Sequence, residues 1–166
     1  MNKKWLIIGM LAVSFIVSGC MNNGKTNAIY LIPEGYTGYA MAFYNVKNAP
    51  PLTYEGDFAV HQITEEGYFV TSKNDMTYGT VTDQYYYVDE NGKRSPIDDQ
   101  CISTMGTGGY ESYGEGQGPQ VDIHYTGIDI TDDCSAEFAN AGNGIDSERE
   151  QPILDRVLEE YYLIIK

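Results

Sequence analysis

Histidine, cysteine and tryptophan are scarce in this chain of 166 residues, which contains two histidines, three cysteines and one tryptophan. Catalysis by a serine, threonine or cysteine nucleophile needs a histidine base that is held in turn by a carboxylate. Only His61 and His124 are present, and the sequence contains neither a Gly-x-Ser-x-Gly elbow nor a Ser-x-x-Lys motif. We therefore expect no catalytic residues and no enzymatic activity.

Basic residues are also few, because ten Lys and Arg stand against 24 Asp and Glu, for a formal net charge of −14. Nucleic acid would repel so acidic a chain, and this excludes a nucleic-acid partner. The glycine-rich run at residues 114–118 lacks the Lys-Ser/Thr that follows in a phosphate-binding loop, and we expect no cofactor. The acidic charge would suit a cationic partner, or it would simply keep an exported domain soluble.

The first 20 residues have the order of an export signal. Lys3 and Lys4 precede a mostly apolar run, residues 5–17, that is too short to span a bilayer comfortably. Residues 17–20, Val-Ser-Gly-Cys, resemble the lipobox of bacterial lipoproteins, in which the peptidase cuts before a lipid-modified cysteine. We expect a signal peptide at residues 1–19, lipidation at Cys20, a tether over residues 20–27 and an extracytoplasmic, membrane-anchored protein. An ordinary signal peptide or a short membrane anchor is the alternative.

Two cysteines, Cys101 and Cys134, remain if Cys20 is lipidated. An oxidising compartment permits them to pair, and a disulfide that closes a loop of this length is worth about 3.8 kcal/mol in the chain-entropy model. Two buried free thiols, or a pair that binds a soft metal, are the alternatives. We favour the disulfide because no Cys-x-x-Cys is present and His124 is the only imidazole nearby.

Short segments of strand-like pattern fill most of the remaining chain: residues 28–32, 39–46, 58–63, 68–72, 84–88, 93–97 and 121–126. Residues 64–67 have the length and glycine content of a hairpin turn, and residues 89–92 contain the Asn-Gly pair of a tight hairpin. We predict a mainly β fold, a single sandwich-like or open-barrel domain over residues 28–166 with a short C-terminal helix.

That helix is predicted from apolar residues that recur at helical spacing after Pro152, a residue favoured at a first helical position. We expect about two turns from Pro152, followed by strand or extended chain after Tyr162.

A glycine-rich stretch, residues 106–118, predicts a surface loop because six of its thirteen residues are glycine. Tyr110 and Tyr113 could offer aromatic contact area to a partner from such a loop. The alternative is a solvated connector with no role.

Asp129, Asp132 and Asp133 are weak candidates for a calcium site, since hard oxygen ligands crowd one strand end there. Their spacing matches no calcium-loop consensus, so the metal, if any, stays unknown.

One ordered set of motifs resembles a bacterial extracytoplasmic family of uncharacterised function, whose members are often lipoproteins. The motifs are YLIPEGYTG at residues 30–38, FYN at 43–45, APPL at 49–52, Glu-Gly at 55–56, a Glu-x-Gly turn at 65–67 and YYYVDENGKR at 85–94. The resemblance covers about half of the mature chain and implies a compact β-domain of sandwich type. It implies no reaction and no catalytic residue.

These observations favour a lipid-anchored envelope protein with a non-enzymatic binding role, attached to the membrane through Cys20 and able to meet a protein or glycan partner. An acidic immunity or inhibitor lipoprotein that neutralises a basic toxin or hydrolase is the second hypothesis. An envelope hydrolase is the third, and it would need a concave site with a perturbed carboxylate.

Replacement of Cys20 by alanine tests the anchor directly. The Cys20→Ala protein should be released into the medium or persist as an unprocessed precursor, because no thiol is left to accept the lipid. Labelling with a fatty-acid analogue should then disappear. Unchanged labelling and membrane fractionation would refute lipidation at Cys20.

Overall fold

The computed structural model describes residues 24–113, 119–142, 144 and 146–164, and this part of the chain forms nine β-strands and two α-helices. The strands are β1 (Ala28–Pro33), β2 (Gly38–Tyr44), β3 (Thr53–Glu55), β4 (Phe58–Gln62), β5 (Tyr68–Val70), β6 (Gln84–Val88), β7 (Arg94–Pro96), β8 (Ile102–Ser112) and β9 (Val121–Ile130). The helices are α1 (Ala136–Asn140) and α2 (Ser147–Tyr162). The predicted signal peptide and Cys20 lie outside the described residues.

The strands form two mixed sheets that pack against each other. The five-stranded sheet has the order β3-β4-β1-β6-β7, and the four-stranded sheet has the order β5-β2-β9-β8. An inner core of side chains from both sheets lies between them. The predicted mainly β, sandwich-like fold with a C-terminal helix is therefore confirmed, and neither sheet of the described chain closes into a barrel.

Parallel pairs arise because the chain moves back and forth between the sheets. β1 lies parallel to both β4 and β6, and β2 lies parallel to β5. Parallel neighbours need a crossover connection, which is usually a helix. Here a strand of the opposite sheet serves instead, since the chain passes through β2 on its way from β1 to β4 and through β5 on its way from β4 to β6.

The hairpin predicted around residues 64–67 is wrong for the same reason. The turn itself forms, with the amide of Gly67 donating to the carbonyl of Thr64 at 3.0 Å. β4 and β5 on its two sides belong to different sheets, however, so the turn carries the chain across the sandwich. A turn reverses the chain direction, but the packing of the strands decides which neighbours they pair with.

Strand β2 is buried on both faces, in agreement with its predicted alternation. Tyr39, Met41 and Phe43 face outward toward α2, whereas Ala40 and Ala42 face the inner core. Every one of these side chains is buried. The four-stranded sheet is therefore the middle layer of the molecule, between the helix and the five-stranded sheet.

Helix α2 starts earlier than predicted, at Ser147, so Pro152 lies inside the helix rather than at its first position. Asp146 caps the helix, because its carboxylate accepts from the amide of Glu148 at 3.0 Å. Two acidic residues in the first turn, Glu148 and Glu150, favour this start through the helix dipole. The proline therefore did not mark the helix start.

Apolar residues of α2 pack on the outer face of the four-stranded sheet: Leu154, Val157, Leu158 and Tyr162. Two hydrogen bonds to carboxylates fix the helix further, from the Tyr125 hydroxyl to Glu150 and from the Tyr68 hydroxyl to Glu160.

The predicted glycine-rich loop is wrong for residues 106–112, which belong to the long edge strand β8. Gly108 lies opposite Tyr125 of β9, and a Cβ atom at this position would approach the Tyr125 ring to 2.4 Å. The glycine thus leaves room for the tyrosine ring to lie across the strand, and the Tyr125 hydroxyl continues to α2. Residues 114–118 of the predicted loop lie outside the described residues.

The five-stranded sheet is strongly curled. Glu55 of edge strand β3 and Arg94 of edge strand β7 form a bidentate ion pair with N···O distances of 2.6 and 2.8 Å. In a flat sheet these two strands would lie about 19 Å apart, at ~4.8 Å per strand spacing, which is beyond the reach of two side chains. The curl shelters a small apolar cluster of Ile29, Leu31 and Val60 on this sheet's outer face.

The expected disulfide between Cys101 and Cys134 is present. It ties the start of β8 to the segment that leads into α1. In the part of the chain that the structure describes, no helix combines the length and the apolar composition that crossing a membrane requires.

Truncation of a buried leucine in α2 should test how much of the stability depends on this helix. Leu158→Ala should lower the free energy of unfolding by about 2–5 kcal/mol, because Leu158 is 1% exposed in the outer core. Leu163→Ala is the matched control, since Leu163 is 85% exposed and its loss should cost about 0.5 kcal/mol or less. Urea unfolding measures both, and equal effects would mean that α2 is not docked as described.

Candidate functional site

A cavity of about 150 Å³ lies between the two sheets. Its walls come from β1, β4 and β6 on one side and from β2, β8 and β9 on the other. Residues 73–83, which we call the cover segment, connect β5 to β6 and lie over it. The lining residues that solvent reaches most are in the cover segment and in β8, so the mouth of the cavity lies between them: Thr77, Tyr78, Gly79, Val81, Thr104 and Thr107.

A buried histidine and a tyrosine form the polar centre of the cavity wall. His61 of β4 is 1% exposed, and its Nε2 lies 2.8 Å from the hydroxyl of Tyr44 on β2. Tyr30 contacts the imidazole edge-on, with ring centroids 4.7 Å apart. Burial lowers the pKa of His61 to about 3, and the charge of Lys73 adds to this effect. The imidazole is therefore neutral near pH 7.

Tyr85 of β6 adds a second polar group to the wall. Its ring lies 5.5 Å from that of Tyr30 on the neighbouring strand, and burial raises its pKa, with a further contribution from the charge of Asp83. The phenol therefore stays protonated and able to donate a hydrogen bond.

Two buried polar atoms of this wall have no hydrogen-bond partner within the protein, namely Nδ1 of His61 and the hydroxyl of Tyr85. In the described residues only Ser103 shares this property. Buried polar atoms are nearly always paired, because an unpaired one costs about 1–3 kcal/mol. Both residues line the cavity, so two of the described buried polar atoms without a protein partner lie on the wall of this one cavity.

The cover segment is held by the residues that precede β1. The Asp83 carboxylate accepts from the amide of Ala28 at 2.8 Å and from the hydroxyl of Thr26. The amide of Thr80 donates to the carbonyl of Gly24 at 2.8 Å, and the amide of Thr26 donates back to the carbonyl of Thr80. Burial raises the pKa of Asp83, which these hydrogen bonds partly offset. The start of the described chain thus forms one side of the site.

The described residues of the cavity wall bring together neither a general base nor a pair of carboxylates. A general base works best with a pKa near the operating pH, and His61 is far too weak a base for this role. Asp83 is the only carboxylate among the lining residues, whereas glycoside cleavage uses two. The cavity has aromatic walls with two neutral hydrogen-bonding groups, and Lys73 and Asp83 of the cover segment line it as well.

The strand-like pattern of residues 58–63 correctly places His61 on a strand, but no pattern in the sequence joins it to Tyr44 or Tyr85. The three side chains come from β4, β2 and β6, and the two sheets bring them together. Within the tyrosine triplet, Tyr85 and Tyr87 face inward and Tyr86 packs on the outer face. At least one face of the triplet is thus structural.

The calcium candidates are not brought together. Asp129 is buried and forms a bidentate ion pair with Arg149 at 2.6 and 2.7 Å, while the guanidinium lies 3.9 Å from the centre of the Tyr39 ring. Asp132 and Asp133 are exposed. No group of three or more His, Cys, Asp or Glu side chains able to hold a metal ion occurs in the described ranges. The carboxylate of Asp129 is paired with the guanidinium of Arg149 instead of a metal ion.

The predicted partner contacts at Tyr110 and Tyr113 have different surroundings. Tyr110 is half-buried and packs against the core beneath α2. Tyr113 is 77% exposed, and its hydroxyl donates to Glu111 at 2.5 Å. Neither residue lines the cavity. A partner contact at this end of β8 stays a prediction. Of the two tyrosines, Tyr113 is the one whose side chain is exposed at the surface.

Two packed mixed sheets, an outer helix and an internal cavity define a mainly β, sandwich-like class of domain. The chain belongs to a family of unknown function (DUF6843), whose model matches residues 24–138. The matched part includes the cavity and ends before α2. No curated protein of known role matches the sequence.

A crystal structure of similar fold has been solved. That protein is described as a "Putative Lipoprotein from Bacillus anthracis", and its sequence is 32% identical to this one. The match covers 82% of this chain and 97% of the other, with a TM-score of 0.71. The chain is thus homologous to a protein described as a lipoprotein, and the expected kinship with an uncharacterised lipoprotein family is supported.

The neutral state of His61 predicts an acid-sensitive stability. Its pKa in the folded protein is about 3, below the ordinary value of 6.5, so between these values the unfolded chain binds a proton that the folded chain does not. The depressed pKa of His61 therefore contributes to the free energy of unfolding. This contribution is complete above about pH 6.5, and it falls by up to about 1.4 kcal/mol for each pH unit below that.

Urea unfolding of the protein and of its His61→Gln variant at pH 6.5 and pH 4.5 measures this contribution. The unchanged protein should lose about 2 kcal/mol more than the variant over this range, because the variant has no proton to bind. Equal losses would mean that His61 titrates normally and is not buried as described.

Proposed function

We propose that this protein is a lipid-anchored envelope protein that binds a small neutral molecule in the cavity between its sheets. The observation that supports this most strongly is the pair of unpartnered buried atoms, Nδ1 of His61 and the hydroxyl of Tyr85, beside one cavity. The envelope location is supported by the lipobox at residues 17–20 and by the description of the homologue.

The size of the cavity limits the ligand. A dry cavity of about 150 Å³ engineered in another protein holds benzene, and the cavity here has the same volume. A molecule with about six to ten non-hydrogen atoms therefore fits. The aromatic walls formed by Tyr30, Tyr44 and Tyr85 favour a flat or apolar body.

The polarity of the cavity limits the ligand further. If the Tyr44 hydroxyl donates to Nε2 of His61, then Nδ1 carries the proton and donates to the ligand. If Nε2 donates to Tyr44 instead, Nδ1 accepts. Tyr85 donates in either case. A neutral ligand with an amide, hydroxyl or similar group suits these partners better than an anion, because the imidazole carries no charge.

The two other functions weighed from the sequence have less support. A hydrolase would need a second carboxylate at the cavity, where Asp83 is alone and already bonded to Thr26 and Ala28. An inhibitor role would use the acidic charge, −16 after removal of Lys3 and Lys4 with the signal segment. Charge of this kind is spread over the whole chain, whereas the cavity is a localised feature.

Benzamide and phenol are suitable probes, since each joins a ring to a neutral hydrogen-bonding group. Titration followed by NMR amide shifts should give saturable binding, with the largest shifts in β1, β4 and β6. Ala59→Leu, which fills the cavity and leaves its polar atoms in place, should abolish binding. Ala136→Leu, on the exposed surface of α1, is the control and should bind normally. No saturable shifts, or equal binding by both variants, would refute the cavity as a binding site.

Tyr85→Phe separates binding from folding. Because the Tyr85 hydroxyl has no protein partner, its removal should leave stability unchanged or slightly higher. Benzamide affinity should fall about tenfold, equivalent to about 1.4 kcal/mol. In contrast, Tyr87→Phe removes a hydroxyl that donates to the carbonyl of Tyr36 at 3.2 Å, and should cost about 1 kcal/mol of stability without affecting binding. The opposite pattern would assign Tyr85 a purely structural role.

A further inference from the structure

The chain enters the described structure beside the mouth of the cavity. Residues 24–28 run along the cover segment, and hydrogen bonds join Gly24 and Thr26 to Thr80, Asn27 to Thr82, and Ala28 to Asp83. Cys20 precedes Gly24 by four residues. Even a fully extended chain of this length spans only about 14 Å. A lipid attached to Cys20 would therefore hold the membrane surface close to the cover segment.

The exposed apolar side chains concentrate at the same place. Among the described residues, five large apolar or aromatic side chains are strongly exposed. Tyr78 and Val81, 56% and 51% exposed, belong to the cover segment and line the cavity. Tyr54, 55% exposed, pairs with Ala59 of β4, which lines the cavity too. We call these three residues the mouth surface. The remaining two, Tyr113 and Leu163, lie elsewhere.

The chemistry of the mouth surface fits a lipid headgroup region. Tyrosine is enriched where one end of a side chain meets hydrocarbon and the other meets water. Two of the few basic residues flank this surface, since Lys25 bridges to Thr80 of the cover segment and Lys73 lines the cavity. Three acids near this surface have partners within the protein: Asp75 accepts from the Tyr78 hydroxyl at 3.0 Å, Asp83 is bonded to Thr26 and Ala28, and Glu55 is paired with Arg94.

We propose that the mouth surface of Tyr54, Tyr78 and Val81 rests on the lipid surface to which Cys20 is anchored, so that the cavity opens toward the membrane. This inference depends on the lipid anchor of the proposed function, and it is independent of the identity of the cavity ligand. The short tether supports it, since a tether of a few residues keeps the local concentration of this surface at the membrane high. Weak apolar contacts, which would not hold a free protein, suffice under such a restraint.

The scarcity of tryptophan makes the contact measurable. The only tryptophan, Trp5, lies in the predicted signal peptide. In the mature lipidated protein a Tyr78→Trp variant would therefore have one tryptophan, at the mouth surface. Tyr113→Trp is the matched control, because it also replaces an exposed tyrosine, at the far end of β8. Neither substitution removes a buried group.

Both full-length proteins are produced in cells, purified with their lipid and reconstituted in vesicles of phosphatidylcholine and phosphatidylglycerol at about 3:1. Replacing part of the phosphatidylcholine by its dibrominated form then quenches tryptophan in contact with lipid. The Tyr78→Trp protein should be quenched at least twofold more than the Tyr113→Trp protein, with its emission shifted to the blue. Adding Val81→Asp to the Tyr78→Trp protein should reduce the quenching, because a charge opposes contact with the acyl boundary.

Mass spectrometry of the same samples distinguishes the two ways in which the idea can fail. A mature chain that carries the lipid but shows equal quenching for both variants overturns the mouth contact and leaves the anchor intact. A chain without the lipid overturns the anchor and the mouth contact together. Binding of benzamide in the cavity is measured separately, so its failure bears on the ligand site alone.

Discussion

The pairing of β2 with β9 is the constraint on which the rest of the structure depends. These strands form the middle of the four-stranded sheet, and alternate residues of both point into two different cores. Outward residues such as Phe43 and Ile123 hold α2, while inward residues such as Ala42 and Ile128 face the five-stranded sheet. A shift of one residue in this register would exchange the two faces and leave both layers without their partners.

The cavity is a consequence of the same alternation. Small or polar residues line part of the inner face, with Thr126 on β9 and Ala28 and Ala59 on the opposite sheet. These side chains cannot fill the space between two sheets about 10 Å apart. Larger residues, such as Ile32 and Ile130, close the core elsewhere. The cavity therefore results from small side chains at neighbouring positions of both sheets.

Much of the fold could be predicted from the sequence, because the alternation in β2 and β9 directly reflects which faces are buried, and short apolar or aromatic runs mark β1 and β6. β8 could not, since its glycines are explained by the Tyr125 ring on the neighbouring strand, a contact between distant parts of the chain. The early start of α2 depended on a cap at Asp146 that an apolar count overlooks. The disulfide followed from the compartment and the number of cysteines. The cavity residues could not be assembled, because His61, Tyr44 and Tyr85 become neighbours only when the two sheets pack.

The strand order has a consequence for the timing of folding. β2 finds its antiparallel partner only in β9, where Gly38 lies opposite Ile130, and β1 needs β6, where Ile29 lies opposite Gln84. Such distant pairings make folding slow, because the chain loses the entropy of closing a long loop before the stabilising contacts between the strands can form. A chain threaded outward from its N-terminus would complete the five-stranded sheet only when residues near 96 had emerged, and the four-stranded sheet only when residues near 130 had emerged. Topology therefore disfavours premature folding before export, which is consistent with the signal peptide predicted for residues 1–19.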